Sequence, residues 1–190
     1  MFQKTIAGFI LLFVLTSFSG GSNKNVWQHV FVNLNQQPVQ LKYYTGKQAT
    51  VLIFISPECP LCQNYALTIN QLMKKFSRDS VRFIGVVSGG DFSIAAIKQY
   101  QRAYQLKLLL FVDREYALAR ELSAKVTPEV FIINANDEIL YNGRIDNWAY
   151  EVGKKRKIIT SHDLQDALTA IKNGTSIPQK KTQAIGCFIE

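Results

Sequence analysis

The sequence predicts an α/β sandwich of three layers, with helices on either side of a central mixed β-sheet, and three observations predict it. Continuous apolar runs at residues 49–55, 81–87, 108–112 and 130–133 have the length and make-up of strands buried on both faces. The segments between them carry apolar residues at three- and four-residue steps, the mark of helices with one buried face. Strands alternating with helices imply a parallel sheet, and a late turn at Asn136-Asp137 adds antiparallel strands.

Each element has its own signal. Residues 29–34 and 39–44 alternate around Gln36-Gln37-Pro38 and read as a short antiparallel pair. After the run at 49–55, Pro60 suits a first helical position, where its missing N–H costs nothing. Cys62, Tyr65, Ile69, Leu72, Met73 and Phe76 then mark the core face of a helix. The strand at 81–87 ends at Ser88-Gly89-Gly90. Ser93 caps a helix that turns Ile94, Ile97, Tyr100 and Tyr104 inward, and Asp113 caps a short helix running to Leu122. Thr127-Pro128 precedes the strand at 130–133, and Asn136-Asp137 turns the chain into 139–141. Thr160-Ser161-His162-Asp163 has the spacing of a capping box, and the helix it opens stops at Asn173-Gly174. The order is β-β-β-α-β-α-β-α-β-β-α. Trp27, Trp148 and Tyr150 are expected as core or lid aromatics.

The chain of 190 residues is long enough for one domain with a full core plus appendages, and 47% hydrophobic with 19% charged residues is ordinary for a globular protein. Met1-Phe2-Gln3-Lys4 is a short basic start, residues 6–15 are apolar, and Ser17-Phe18-Ser19 supplies small residues. That layout is a secretory signal, with an uncleaved N-terminal anchor as the alternative. The expected division is signal peptide or anchor at 1–21, a folded domain at 22–177 and a tail at 178–190. The expected site of action is outside the cytoplasm, in a bacterial periplasm or cell envelope. The formal net charge is +8, with its densest cluster at residues 154–157. No nucleic-acid recognition module accompanies that cluster, so it reads as a solvated loop or as attraction to an anionic envelope surface.

Chemistry concentrates in residues 54–65, FISPECPLCQNY, where Cys59 and Cys62 stand three positions apart; Cys187 is the only other cysteine. As a staple the pair is weak, since closing a loop of roughly four residues contributes only about 2 kcal/mol. As a structural metal clip it is short of ligands, because zinc takes four and only Cys187, His29 and His162 remain as further soft or borderline donors. Copper handling stays an alternative. As a redox pair it is well placed: Cys59 falls at a helix N-terminus, where unpaired N–H groups and the helix dipole favour a thiolate. Cys59 is then an accessible nucleophile and a good leaving group, and Cys62, one turn on and less exposed, resolves the mixed disulfide.

VLIFISPECPLC resembles the active-site segment of the thioredoxin superfamily, and Thr127-Pro128 before a strand resembles that family's cis-proline loop. The likeness covers roughly residues 28–173 and is strongest to the exported redoxin branch, similar to peroxiredoxins and to the thioredoxins of cytochrome c maturation. It implies a thioredoxin-like fold and four roles: Cys59 as nucleophile, Cys62 as resolving thiol, Pro128 as cis-proline, and Thr127 as its substrate-facing neighbour. It implies client proteins carrying disulfides or thiols and a membrane protein as electron donor, with no cofactor and no metal. The buried acid of minimal thioredoxins is replaced by Ile53, which leaves Glu58 as a candidate for proton transfer. Peroxiredoxins carry a proline seven positions and a Thr or Ser three positions before their reactive cysteine. Ser56 meets the second requirement and Leu52 fails the first. Disulfide exchange is therefore the expected activity, with peroxide reduction as the alternative. Cys187 is either a third functional thiol or a free thiol of the tail, whose sequence at 182–189 resembles the closing segment of some bacterial redoxin-domain proteins.

Overall fold

The computed structural model describes residues 26–77 and 80–189, so the signal segment at 1–21 and the domain start at 22 lie outside the described residues. A seven-stranded sheet runs through the centre in the order β2-β1-β5-β4-β3-β7-β8. Its strands are β1 (Val30–Asn33), β2 (Pro38–Gln40), β3 (Ala49–Phe54), β4 (Val81–Ser88), β5 (Leu109–Asp113), β7 (Glu129–Ile133) and β8 (Ile139–Gly143). The strands β3, β4 and β5 are parallel, and β1, β2, β7 and β8 join antiparallel at the two sides. The sheet is mixed, as the sequence predicts.

Strand β3 explains the layering. Val51 and Ile53 face one core, with α1 (Pro60–Phe76), α2 (Ile94–Ala103) and α4 (Asp163–Asn173). Leu52 and Phe54 face the other, with α3 (Ala117–Leu122), Val26, Trp27 and Leu41. Every residue of β3 is buried, which is why its apolar run is unbroken rather than alternating. Trp148 packs its ring edge-on against Tyr65 at 5.4 Å, whereas Tyr150 lies largely in solvent.

Three local expectations shift. The second strand of the opening pair ends at Gln40, and Leu41–Tyr44 forms a turn of 3₁₀ helix instead. Leu41 dives into the core there, and Tyr44 meets Phe111 edge-on at 4.8 Å. At α4 no side chain caps the helix: the N-cap is His162, Thr160 Oγ1 accepts from Asn147 Nδ2 at 2.8 Å, and the Ser161 hydroxyl donates to the Asp163 carboxylate at 2.8 Å. Asp163 is in turn held by Arg144 at 2.8 Å, so both ends of the expected capping box, Thr160 and Asp163, have other partners. Short strands absent from the sequence reading also appear: β6 (Val126–Thr127), β9 (Ala149–Glu151), β10 (Lys154–Lys155) and β11 (Cys187–Phe188). Strands of two or three residues carry too little periodicity to be read.

The caps at Ser93 and Asp113 are found. Ser93 accepts from Ala96 N–H at 3.1 Å. The buried Asp113 carboxylate accepts from the N–H groups of Ala117, Leu118 and Ala119 at 2.9–3.1 Å, so one side chain satisfies most of the donors that α3 leaves open. Asp113→Ala is expected to cost about 2 kcal/mol, at the upper end for lost caps because the orphaned donors are partly buried. Urea denaturation at neutral pH measures it.

Candidate active site

The two elements that build the site meet at the carboxyl end of β3. Strand β3 stops at Phe54, Cys59 N–H closes a turn onto Ser56 C=O at 3.2 Å, and Pro60 opens α1 with Cys59 as its N-cap. Opposite stands the loop from Lys125 to Pro128. The Thr127–Pro128 bond is cis, and the Cys59 thiol lies 3.0 Å from Thr127 C=O. The predicted pairing of residues 59 and 127–128 is thus observed, and Cys62 follows on the inner face of α1 with no exposed surface.

The loop is held by a residue that sequence reasoning passes over. Glu129, the first residue of β7, is 8% exposed, and its carboxylate accepts from the backbone N–H of Lys125 at 2.7 Å and of Val126 at 3.4 Å. A buried carboxylate needs such donors to stay in place. They fold the loop back so that Thr127 C=O faces Cys59. The available signal was an acid in a strand otherwise made of Val, Phe and Ile.

The expectation of an accessible Cys59 is overturned: it is 1% exposed. Strand β11 of the tail lies over it, pairing antiparallel with β6 so that Cys187 is opposite Thr127 and Phe188 opposite Val126. Cys187, part-exposed, brings its thiol to 2.9 Å from the Cys59 sulfur. The tail is seated at a second point, where Asn142 N–H donates to Lys180 C=O, Thr182 N–H donates to Asn142 C=O, and Thr182 Oγ1 lies 2.8 Å from Tyr141 OH. Sequence reasoning separates residues 178–190 from the domain, whereas the described part of the tail packs onto β6 and β8.

Electrostatics single out one sulfur. The Cys59 pKa is lowered to about 4, first by the hydrogen bond from the Cys62 thiol, against an opposing push from burial, then by the Cys187 thiol and by the backbone N–H groups of Cys62 and Cys187. Cys62 is pushed well up by burial, and then by donating to Cys59 and by the charge there. Cys187 is pushed up to about 12 by burial and then by the same two causes. The helix end invoked from sequence contributes through the Cys62 N–H, but two neighbouring thiols do more. At neutral pH the site holds one thiolate between two thiols. Tyr100 OH, which donates to Cys62 C=O at 3.2 Å, is also raised, by burial first.

Glu58 is exposed and lines a cavity of about 350 Å³ beside Cys59, together with Ser56, Asp91, Tyr116 and Thr127. On the other side of Cys187 lies a more apolar cavity of about 250 Å³, formed by Pro60, Leu61, Trp148 and Val152. Among the described residues no group of three or more His, Cys, Asp and Glu side chains is arranged to hold a metal ion.

A thiolate titration tests this picture. Ultraviolet absorbance of the reduced protein is expected to show one thiolate with a midpoint near pH 4, far below the range of an ordinary cysteine. Because the folded value lies below the unfolded one, the ionisation stabilises the reduced fold above the ordinary thiol range, and that contribution is lost as pH falls through about 4. Cys62→Ala, which removes the donor, is expected to raise the midpoint.

Comparisons with known proteins agree with the fold. The family model described as Redoxin matches residues 17–154, more than half of the chain. No curated protein matches the sequence. Among solved structures, an uncharacterized conserved protein from Geobacillus kaustophilus superposes with a TM-score of 0.74 at 21% identity, covering 85% of this chain and 87% of its own. A hypothetical protein from Sinorhizobium meliloti 1021 gives 0.73 at 19%, covering 85% and 89%. A secreted disulfide oxidoreductase of Mycobacterium tuberculosis, homologous to E. coli DsbE, gives 0.54 at 19%, covering 78% and 97%. At these identities the likeness establishes a thioredoxin-like fold.

Proposed function

The chain belongs to the Redoxin family, and from that premise we propose that it is an exported thiol–disulfide oxidoreductase working on protein clients through the Cys59–Cys62 couple. The observation that carries this reading is the Cys59 sulfur at the start of α1, its pKa lowered by the neighbouring thiols, 3.0 Å from Thr127 C=O of the cis-proline loop, with Cys62 one turn further along the helix. Nothing in such a couple requires a cofactor.

The chemistry follows from the protonation states. The Cys59 thiolate attacks one sulfur of a client disulfide; the client S–S bond breaks, and the departing client sulfur leaves as a thiolate and takes up a proton. Cys62 then gives up its proton and attacks Cys59, forming the Cys59–Cys62 disulfide and expelling the second client sulfur. The client gains two electrons and the couple loses two. A thiol-bearing electron donor, a membrane protein in an oxidising compartment, restores the dithiol. The Thr127–Pro128 loop holds the client chain against Cys59, and Glu58, at the mouth, relays protons with solvent. The low pKa makes Cys59 a good leaving group and stabilises the reduced form, so the disulfide is readily reduced and the same steps can run in reverse to oxidise clients. Export rests on the N-terminal sequence and is supported by the secreted mycobacterial relative of the fold.

Two measurements test the reading. The reduced protein is expected to reduce insulin disulfides, with Cys59→Ser inactive. Consumption of hydrogen peroxide without insulin reduction would turn the assignment to a thiol peroxidase. The midpoint potential of the Cys59–Cys62 couple is expected above the roughly −270 mV of thioredoxin, toward the roughly −120 mV of strong oxidants.

A further inference from the structure

The exchange just described needs a client sulfur beside Cys59 and a client backbone along Val126–Thr127, and this chain fills both places with its own end. Strand β11 makes the antiparallel ladder with β6, and Ile189 N–H donates to Lys125 C=O at 2.9 Å. The Cys187 thiol stands where an attacking or departing sulfur must stand, 2.9 Å from Cys59. The fit is built for it. A Cβ on Gly186 would lie 2.2 Å from Thr127 O, and one on Gly143, whose φ is +144°, would lie 2.1 Å from Thr182 Oγ1. Both points where the tail meets the body therefore admit only glycine.

We propose that the C-terminal strand is an internal client, and that Cys187 exchanges with Cys59 to form a disulfide that closes the site. The proposal rests on the Cys59–Cys62 couple being redox-active. In the oxidised protein, with its Cys59–Cys62 bond made at the expense of a client disulfide, Cys187 loses its proton to solvent and attacks the Cys59 sulfur. The Cys59–Cys187 bond forms, the Cys59–Cys62 bond breaks, and Cys62 leaves as a thiolate and takes up a proton. No electrons are gained or lost; two isomeric disulfides interconvert. Part of what holds the Cys187 proton in the reduced state is the charge on Cys59, and that charge vanishes once Cys59 is in a disulfide. Cys62, completely buried beneath Cys59, reverses the step by attacking Cys59 and freeing Cys187.

The consequence is a site with two lids. In the reduced protein the tail covers Cys59 by strand pairing alone, and a client must displace it. In the isomerised oxidised protein the cover is covalent, and the electron donor must meet Cys187, the part-exposed partner, rather than Cys59. The tail also separates the polar cavity at Glu58 from the apolar one at Trp148, so its departure opens a continuous groove across the cysteine.

Two variants of the full chain test this. Cys62→Ser is oxidised with diamide, trapped in acid and mapped by mass spectrometry. An intramolecular Cys59–Cys187 disulfide is expected; free Cys187 together with dimers linked through Cys59 overturns the proposal. Gly186→Val keeps all three cysteines and expels the strand. Alkylation of reduced Cys59 by iodoacetamide is expected to quicken about tenfold, the factor for a tail seated about nine-tenths of the time. Insulin reduction is expected to rise with it, and an unchanged alkylation rate overturns the proposal. The two readings fail differently. Insulin left intact by both the wild-type protein and Gly186→Val, with the 59–187 bond formed in Cys62→Ser and alkylation accelerated in Gly186→Val, defeats the exchanger and keeps the internal client. Equal insulin reduction by the wild-type protein and Gly186→Val, with no 59–187 bond in oxidised Cys62→Ser and an unchanged alkylation rate, keeps the exchanger and defeats the internal client.

Discussion

One buried negative charge organises this molecule. A thiolate on Cys59 with almost no solvent contact would be prohibitively costly without donors around it. The fold supplies them from two directions: α1 brings the Cys62 thiol and N–H from below, and the C-terminal strand brings the Cys187 thiol and N–H from above. Each donor keeps its own proton because the anion beside it makes ionisation unfavourable. With Cys59 ionised, loss of a second proton from Cys62 or Cys187 is disfavoured.

The scaffold serves that arrangement. Parallel strands β3, β4 and β5 end on the same side of the sheet, and β3 delivers the chain directly into the turn before α1. The antiparallel strand β7 begins beside the end of β3, with Glu129 in register with Phe54, so the Lys125–Pro128 loop and the Cys59 turn are fixed against each other by adjacent strand ends. The carboxylate of Glu129 then settles the loop itself, through two backbone amides. Sheet, helix end and loop are three supports that hold Cys59, Cys62 and Thr127 in place.

Much of this was legible in the residues. The long strands and the four helices carry strong periodicity or unbroken apolar runs, and they stand where the sequence puts them. The Cys59–Cys62 pair and Thr127–Pro128 were readable because their spacing and their place at strand ends are themselves chemical constraints. The cover over Cys59 was not. A two-residue strand has no period to detect, and its pairing with Val126–Thr127 joins residues about sixty positions apart. Glu129 was missed for a related reason: its partners are backbone amides of a loop, which leave no trace in side-chain pattern. The Thr160–Asp163 spacing misled because both side chains have distant partners, Asn147 for Thr160 and Arg144 for Asp163.

The seat of Lys180 and Thr182 on β8 has a bearing on how the molecule keeps to itself. β2 and β8 are the outermost strands of the sheet, and such margins invite a second chain to add on. β2 is three residues long and opens on a proline, a poor template for growth. β8 is longer, and residues 180–182 run along it as a guard rail. Because that guard is anchored separately from Cys187, the end of the chain can swing away from the sulfur while the margin of the sheet stays shielded from self-association.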